Sequence, residues 1–305
     1  MRSSTARVPA KINLSLGVGS VRPDGFHPLA TVYQAVGLCD EVRATEVSDD
    51  SVTVRVHADA DHAEELTDVP VGIDNIAVRA ALLLRESAGI DDGVALSIRK
   101  SIPVSGGMAG GSADAAGALI ACDDLWGLRT PKSELERIAR ELGSDVPFCL
   151  AGGNAMGSGH GEIISPVLAR GSYQWVFALA HEGMSTAKVY AEFDRLSNGS
   201  EVPEPEVDDA LMAALRAGDA VSLGAALSND LQDAAIFLRP ELAETLAIGE
   251  ECGALGAQLS GSGPTAMFLA RDDQHAMDIA VALASAQVAA DVVQAVGPVV
   301  GARLV

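Results

Sequence analysis

Alternation of apolar and polar positions predicts the strands of the N-terminal half of the chain. This period of two residues is typical of strands with one buried face, and it covers residues 8–18, 29–38, 52–56 and 94–98. A period of about 3.6 residues predicts helices at residues 75–86, 112–126 and 131–142. Because strands and helices alternate irregularly, the pattern favours an α+β fold over a doubly wound parallel sheet.

A glycine-rich segment at residues 151–161 interrupts this pattern. Such segments are typical of connections, so we predict a domain boundary there, with domains at 1–157 and 158–305. Beyond it, the same periodicities predict strands at 173–180, 266–270 and 288–300 and helices at 185–196, 209–215, 220–229, 240–252 and 273–286. Residues 197–208 are polar with two prolines, which predicts an exposed loop.

Composition and charge narrow the classes of function. The chain has 305 residues, of which 48% are hydrophobic and 4% aromatic, which is enough for a large aliphatic core. The formal net charge of −21 argues against binding to nucleic acid or to an anionic membrane surface. A small nucleotide ligand stays compatible with this charge, because a few N–H groups and one lysine can outweigh it locally.

Cysteine usage and the apolar runs predict a cytoplasmic protein. Cysteines occur singly, without C-x-x-C spacing, which favours a reducing compartment. The N-terminal residues lack the long apolar core of a signal peptide. No apolar run reaches the roughly 18 residues that a membrane-spanning helix needs.

The segment PVSGGMAGGSADAAG, residues 103–117, is the richest in chemical information. It follows the predicted strand at 94–98 and leads into the helix predicted from Ser112. Glycines allow positive φ and close approach to a ligand, and the free N–H groups at a helix start bind anions. The segment therefore fits a phosphate site. On its own it equally fits a flexible turn with a serine cap.

Other nucleotide and metal motifs are missing. No Gly-Lys dipeptide occurs, so a Walker A loop is excluded. A G-x-G-x-x-A match at residues 261–266 is followed by a predicted strand, whereas dinucleotide binding requires a helix there. The six histidines are not clustered, so we expect no structural zinc site.

Three segments in order carry a family resemblance: PAKINL at 9–14, the glycine loop at 103–113, and LSGSGPT at 259–265. With them the sequence resembles the GHMP kinase superfamily. RPDGFH at 22–27, LGSDVPF at 142–148 and SND at 228–230 extend the resemblance to its members that act on 4-diphosphocytidyl-2-C-methyl-D-erythritol. It implies a two-domain α+β fold with the active site in the inter-domain cleft.

The implied activity is transfer of the ATP γ-phosphate to the 2-hydroxyl of that substrate, in the non-mevalonate route to isoprenoid precursors. The resemblance also implies Mg²⁺, bound together with ATP. Two alternatives stay open for its ligands: Ser112 as a protein ligand, or the phosphates and water alone. The resemblance makes Asp145 the general base and places Lys11 against it and the transferring phosphate. From the residues alone, Lys11 fits an edge-strand lysine that reaches solvent, and Asp145 fits the cap of a short helical turn.

The resemblance assigns ATP binding to the loop and its surroundings. The loop residues are Pro103, Val104, Ser105, Gly106, Gly107, Met108, Ala109, Gly110, Gly111, Ser112 and Ala113. Lys100 and Asn75, with Val104, would line the adenine pocket; as a lone residue, Lys100 fits a solvated charge at a strand end. Ala109 stands where the family usually has glycine, which matters if that position needs positive φ.

Substrate binding is assigned to residues away from the loop. Asn13 shares a strand face with Lys11. Phe26 would stack on cytosine and His27 would hydrogen-bond to it, with Tyr190 as the second stacking ring and Thr186 nearby. The alternatives are a surface histidine and a core tyrosine.

Two other functions stay open on the sequence. Another kinase of the superfamily, acting for example on homoserine or mevalonate, would have no use for the Phe26–His27 turn. A nucleotide-sensing relative without activity would be expected to lack Lys11 or Asp145, and both are present. The oligomeric state is not predicted.

Overall fold

The protein is described by a computed structural model for residues 2–58, 69–197 and 202–305. Its strands are β1 (Ser3–Val18), β2 (Leu29–Glu46), β3 (Val52–Ala58), β4 (Val94–Lys100), β5 (Asn154–Ser158), β6 (Ile163–Pro166), β7 (Tyr173–Leu179), β8 (Ser228–Asn229), β9 (Gly256–Leu259), β10 (Ala266–Ala270), β11 (Asp291–Gly297) and β12 (Arg303–Leu304). Its helices are α1 (Ile76–Ala88), α2 (Gly110–Trp126), α3 (Lys132–Leu142), α4 (Val146–Ala151), α5 (Thr186–Leu196), α6 (Asp209–Ala217), α7 (Ala220–Ala225), α8 (Gln232–Leu238), α9 (Glu241–Glu251) and α10 (Asp273–Ala286).

The first sheet is built around the long antiparallel pair of β1 and β2. Its main strand order is β12-β1-β2-β4-β3, with β5 on β2, β6 on β5 and β8 on β1. Every second residue of β1 from Ala6 to Leu14 is fully buried, in one core with α1 and α2. Gly117 lets α2 lie close to the sheet, because a Cβ there would be 2.6 Å from Val42 Cγ2.

The second sheet has the order β11-β7-β10-β9, with all neighbours antiparallel. Its own core is formed with α5, α8, α9 and α10. A buried hydrogen bond of 2.7 Å from Trp175 Nε1 on β7 to Gln34 Oε1 on β2 joins the two sheets. Because both partners are buried, this bond fixes how the sheets meet.

The α+β class is confirmed, but some predicted helices and strands differ from the observed ones. The helix predicted at 220–229 is wrong at its end, since α7 stops at Ala225 and β8 follows. Helices α4 and α8 and strand β6 were not predicted, because each is only four to seven residues long. The predicted domain boundary at 157/158 falls within the β5–β6 hairpin, which belongs to the first sheet.

The predicted loop at 197–208 is only partly described. Residues 202–208 have no regular secondary structure, and residues 198–201 lie outside the described ranges. Within the described ranges, none of the helices combines the length and the apolar character that a bilayer span requires.

Candidate active site

A cavity of about 860 Å³ lies where the two predicted domains meet. It is lined by β1, β2, the glycine loop, the residues before α4, helix α5 and the loop after β9. The sequence-predicted residues that line it are Lys11, Asn13, Phe26, His27, Pro103, Ser105, Gly106, Gly107, Ala109, Gly110, Gly111, Asp145, Thr186 and Tyr190. The fold therefore brings most of the predicted site residues to one cavity.

The glycine loop is held by its carbonyl groups. Four successive carbonyls, of residues 105–108, accept hydrogen bonds of 3.1–3.4 Å from other elements. The donors, in order, are the Met184 N–H, the Thr265 N–H, the Ser260 hydroxyl and the Lys11 N–H. Since the carbonyls are used in this way, the N–H groups are the polar groups of the loop that a ligand can use.

Left-handed backbone turns shape the loop before α2. Ser105, Gly107 and Ala109 have φ values of 53°, 79° and 59°. Position 109 therefore does need positive φ, and alanine adopts it here. Helix α2 begins at Gly110, two residues earlier than predicted, so the first free N–H groups belong to Gly110 and Gly111, which line the cavity. This is the arrangement of an anion site.

The second glycine loop, residues 259–265, packs directly on the first. A Cβ at Gly107 would lie 2.2 Å from the Ser260 carbonyl oxygen, so only glycine fits this contact. Asn229 holds the second loop from the other side, since its Nδ2 donates to the carbonyls of Leu259 (2.9 Å) and Gly261 (2.8 Å). The SND segment thus positions the loop that supports the anion site.

Lys11 and Asp145 meet at the wall of the cavity. The Lys11 ammonium lies 3.3 Å from Asp145 Oδ2 and donates to Asn13 Oδ1 at 3.0 Å. The Lys11 side chain is 7% exposed and Asp145 is 29% exposed. Lys11 is therefore not an edge lysine that reaches solvent. Asp145 precedes α4 but makes no side-chain capping bond, so it is not the cap of a short helical turn.

Tyr33 is a cavity residue that the sequence did not single out. Lys11 Nζ lies 5.2 Å from the centre of its ring. Burial and the charge of Asp145 raise the pKa of the Tyr33 hydroxyl well above its ordinary value. The phenol therefore stays protonated beside the Lys11–Asp145 pair. No local sequence signal marks Tyr33, because it looks like an ordinary residue of a buried strand.

The far end of the cavity is aromatic. The rings of His27 and Tyr190 lie 5.0 Å apart, and those of Phe26 and His160 lie 4.5 Å apart. Phe26 is 56% exposed although it is large and apolar. His160, which was not predicted, comes from the β5–β6 turn, and Asp194 lies one helical turn after Tyr190. The exposed ring and its neighbours form a surface on which a flat ligand could stack.

Thr186, the first residue of α5, lines the cavity. Its hydroxyl is 3.0 Å from the Ser262 hydroxyl, so it connects the start of α5 to the second glycine loop.

Several predicted ATP-binding residues do not line the cavity. Val104, Met108, Ser112 and Ala113 belong to the loop and the start of α2, but their side chains are not among those that line it. Asn75 is the N-cap of α1, where its Oδ1 accepts from the Ala77 N–H at 2.9 Å and its Nδ2 donates to the Pro70 carbonyl at 2.7 Å. This capping accounts for its burial.

Lys100 is not the solvated charge that a lone lysine at a strand end suggests, and its side chain is not among those that line this cavity. Its ammonium donates to Asp40 and, at 2.8 Å, to Asp114. Asp40 also accepts from the N–H groups of Ser101 (2.6 Å) and Ile102 (2.8 Å). All three charged side chains are nearly or fully buried. We call Lys100, Asp40 and Asp114 the buried ion cluster.

Burial governs the charges of this cluster. It raises the pKa of the Asp114 carboxyl to about 8, with Lys100 lowering and Asp40 raising it. Burial lowers the pKa of Lys100, but its two carboxylate neighbours outweigh this, so the pKa lies above the ordinary value. Asp114 Oδ1 has no hydrogen-bond partner. Burial therefore favours the protonated form of Asp114.

No group of three or more histidine, cysteine, aspartate or glutamate side chains that could hold a metal is present in the described part of the chain. His62 lies outside the described residues. The carboxylates that line the cavity, and that suit a hard cation, are those of Asp145 and Asp194.

Comparisons with known proteins agree with this geometry. The sequence matches the family model of the GHMP kinases N terminal domain over residues 75–153 and the model GHMP kinases C terminal over residues 211–289. The curated 4-diphosphocytidyl-2-C-methyl-D-erythritol kinase of Thermobifida fusca (strain YX) is 52% identical over 304 residues, covering 99% of this chain and 98% of that protein.

Solved structures give the same picture. A crystal structure of 4-(cytidine 5'-diphospho)-2C-methyl-D-erythritol kinase superposes with a TM-score of 0.74 at 32% identity, covering 95% of this chain and 98% of that one. A homoserine kinase from Cytophaga hutchinsonii has the same TM-score of 0.74 at 19% identity, covering 100% and 98% of the two chains. At that identity the second likeness shows the fold alone.

Proposed function

Because the chain belongs to the GHMP kinase family, we propose that it uses ATP to phosphorylate the 2-hydroxyl of 4-diphosphocytidyl-2-C-methyl-D-erythritol. The products are the 2-phosphate and ADP, in the non-mevalonate route to isoprenoid precursors. The observation that carries the proposal is the Lys11–Asp145 pair at 3.3 Å, set between an anion site and an aromatic pocket in one cavity.

The anion site would receive the phosphates of ATP. The N–H groups of Gly110 and Gly111 open onto the cavity at the positive end of α2. The loop is fixed in advance by its carbonyl bonds, so these donors need little rearrangement when the charge of the transferring phosphate develops. Lys11, whose N–H donates to the Met108 carbonyl of the loop, would add a positive charge.

Asp145 would act as the general base. Its carboxylate takes the proton of the 2-hydroxyl as the hydroxyl oxygen bonds to the γ-phosphorus and the bond from that phosphorus to ADP breaks. The ion pair with Lys11 orients Asp145, so the position of the carboxylate compensates for its low basicity. Phosphoryl transfer depends mainly on such positioning and charge stabilisation.

Mg²⁺ fits the oxygen groups at the cavity. Asp145 or the phosphates with water would hold it, and when bound it would neutralise phosphate charge. The cytidine end of the substrate would occupy the aromatic end, against Phe26, His27 and Tyr190, and Asn13 and Thr186 also line the cavity. We also propose a cytoplasmic location, which suits an ATP-dependent enzyme whose four cysteines are free.

The test is a coupled assay of ADP release with a panel of alcohols: 4-diphosphocytidyl-2-C-methyl-D-erythritol, its uridine analogue, homoserine and mevalonate. We expect turnover only with the first or far faster with it. Faster turnover of homoserine or mevalonate would assign a different kinase reaction. ADP release with none of the four, together with ATP binding, would favour a nucleotide sensor.

A further inference from the structure

Asp194 is a cavity carboxylate that the proposed mechanism does not use. It lies on α5 one turn after Tyr190, lines the aromatic end of the cavity, and its side chain is 43% exposed. Its Oδ2 lies 3.6 Å from His27 Nε2. A carboxylate beside a stacking surface in a chain of net charge −21 is unfavourable for an anionic ligand unless it recognises something.

The hydrogen bond at the other nitrogen of His27 determines what the imidazole can offer. His27 Nδ1 lies 2.8 Å from the Gly19 carbonyl oxygen, and His27 is 8% exposed. A carbonyl oxygen only accepts, so Nδ1 must carry the hydrogen. In the neutral ring, Nε2 is then an acceptor that faces the same space as Asp194.

Two acceptors 3.6 Å apart match one chemical group of a pyrimidine. The exocyclic amine of cytosine has two hydrogens and can donate to both His27 Nε2 and Asp194 Oδ2. The corresponding atom of uracil is a carbonyl oxygen, which both acceptors would repel. The neighbouring rings support this interpretation, because Tyr190 lies 5.0 Å from the His27 ring and the exposed Phe26 ring lines the same cavity.

From this geometry we infer that Asp194 is a specificity-determining residue, which together with His27 Nε2 selects an aminopyrimidine over an oxopyrimidine at the aromatic end of the cavity. The inference rests on the proposed function, since it presumes that a pyrimidine nucleotide binds there. A site built to hydrogen-bond a donor rejects an analogue that lacks it far more strongly than an apolar pocket would.

Calorimetric titration with CDP and with UDP tests the inference. The wild-type protein should bind CDP at least about 10-fold more tightly than UDP, and Asp194→Asn should lower that preference by about 10- to 100-fold, the range for one hydrogen bond to a charged group. The amide that this substitution introduces would donate to uracil, so part of the change should be tighter UDP binding. ATP affinity should stay unchanged.

Asp209→Asn is the matched control, because it removes the same charge from an exposed position at the start of α6. It should leave the CDP/UDP ratio at the wild-type value. A wild-type protein that prefers CDP, with Asp194→Asn keeping the same ratio, would overturn the inference and leave the proposed function standing. Equal wild-type affinity for CDP and UDP would overturn it as well. Binding of neither nucleotide would contradict the proposed function and the inference together.

Discussion

Two buried lysines flank the glycine loop, and their surroundings make them different in function. Lys11 and Lys100 are each 6% exposed and each lies on a strand of the first sheet. Lys11 has one carboxylate partner, Asp145, which is itself 29% exposed and opens onto the cavity. Lys100 has two carboxylate partners that are 0% and 5% exposed, and it is shut off from the cavity.

The difference shows what separates a reactive lysine from a structural one. A buried ion pair with all of its groups enclosed contributes mainly a fixed geometry. The Lys11 pair leaves a carboxylate oxygen accessible, so a substrate hydroxyl can reach it. The Lys100 cluster instead joins β2, β4 and α2 beneath Gly110, whose Cβ would lie 3.1 Å from Lys100 Nζ.

The largest expected effect is on kcat, which should depend on the Lys11–Asp145 pair and not on the Lys100 cluster. Asp145→Asn keeps the size of the side chain but removes the base, so kcat should fall by about 10²–10⁴-fold. ATP affinity and the melting temperature should change little, because Asp145 is partly exposed. Steady-state kinetics measure kcat, and calorimetry measures the ATP affinity and the melting temperature. A folded variant with near-normal kcat would remove Asp145 from the mechanism.

The next effect is on the free energy of unfolding, which should depend more on Lys100 than on Lys11. Lys100→Met leaves two buried carboxyls without their cation, so the free energy of unfolding should fall by about 3–5 kcal/mol. Lys11→Met should cost less, about 1–3 kcal/mol, because the partly exposed Asp145 can be hydrated and the main loss is the bond to the buried Asn13 Oδ1. Its kcat should fall sharply. Urea unfolding of both variants gives the comparison. Equal losses of stability would contradict the distinction between the two lysines.

The two glycines at the start of α2 face different sides of the same loop. A Cβ at Gly111 would meet only Ile76, at 3.8 Å, whereas one at Gly110 would press on Lys100. Gly111→Val should therefore weaken ATP binding by about 10-fold or more, through blocked N–H contacts, with little loss of stability. Gly110→Ala should lower stability through the buried ion cluster. Calorimetric titration with ATP and thermal unfolding would distinguish them; unchanged ATP affinity in Gly111→Val would count against the anion site.

The pH dependence of stability follows from Asp114. Its pKa is raised to about 8 in the folded protein, so the folded state holds this proton more tightly than the unfolded chain. The stabilisation is present below about pH 4 and is lost as pH rises to about 8, by at most about 1.4 kcal/mol per pH unit. Asp114→Asn should flatten that decline relative to wild type. Urea unfolding at about pH 5 and about pH 8 measures it, and parallel curves would contradict the assignment of the proton.

Much of the fold could be predicted from sequence because its signals are local. Periodicity predicted β4, α1 and α3 nearly to their ends and the C-terminal end of β1, and the glycine loop was located between strand and helix. The cluster of Lys100 with Asp40 could not be predicted, since the two residues are 60 positions apart and nothing local couples them.

The residues of the candidate site were also predicted only where a sequence motif marked them. Lys11 and Asp145 were assigned from the family resemblance, and the fold brings them together. Tyr33, His160 and Asp194 were missed, because each becomes a cavity residue only through tertiary packing. Short elements such as α4, with a proline in its first turn, also lack the length that periodicity needs.

The smallest expected effect is the change in the free energy of unfolding on substitution of Ala109. This residue lies between the loop residue that contacts Lys11 and the one that contacts Lys100. Met108, bonded to Lys11 N–H, precedes it, and Gly110, above Lys100, follows it. An alanine at φ 59° is strained, and glycine adopts this conformation freely. Ala109→Gly should therefore raise the free energy of unfolding by about 0.5–1 kcal/mol, even though glycine makes the unfolded chain more flexible.

Ala113→Gly, at a buried position of α2 with helical backbone, is the control and should lower the free energy of unfolding by about 1 kcal/mol. If Ala109→Gly destabilises the protein as Ala113→Gly does, the left-handed turn does not limit the stability of the loop, and the strain would have to be assigned elsewhere.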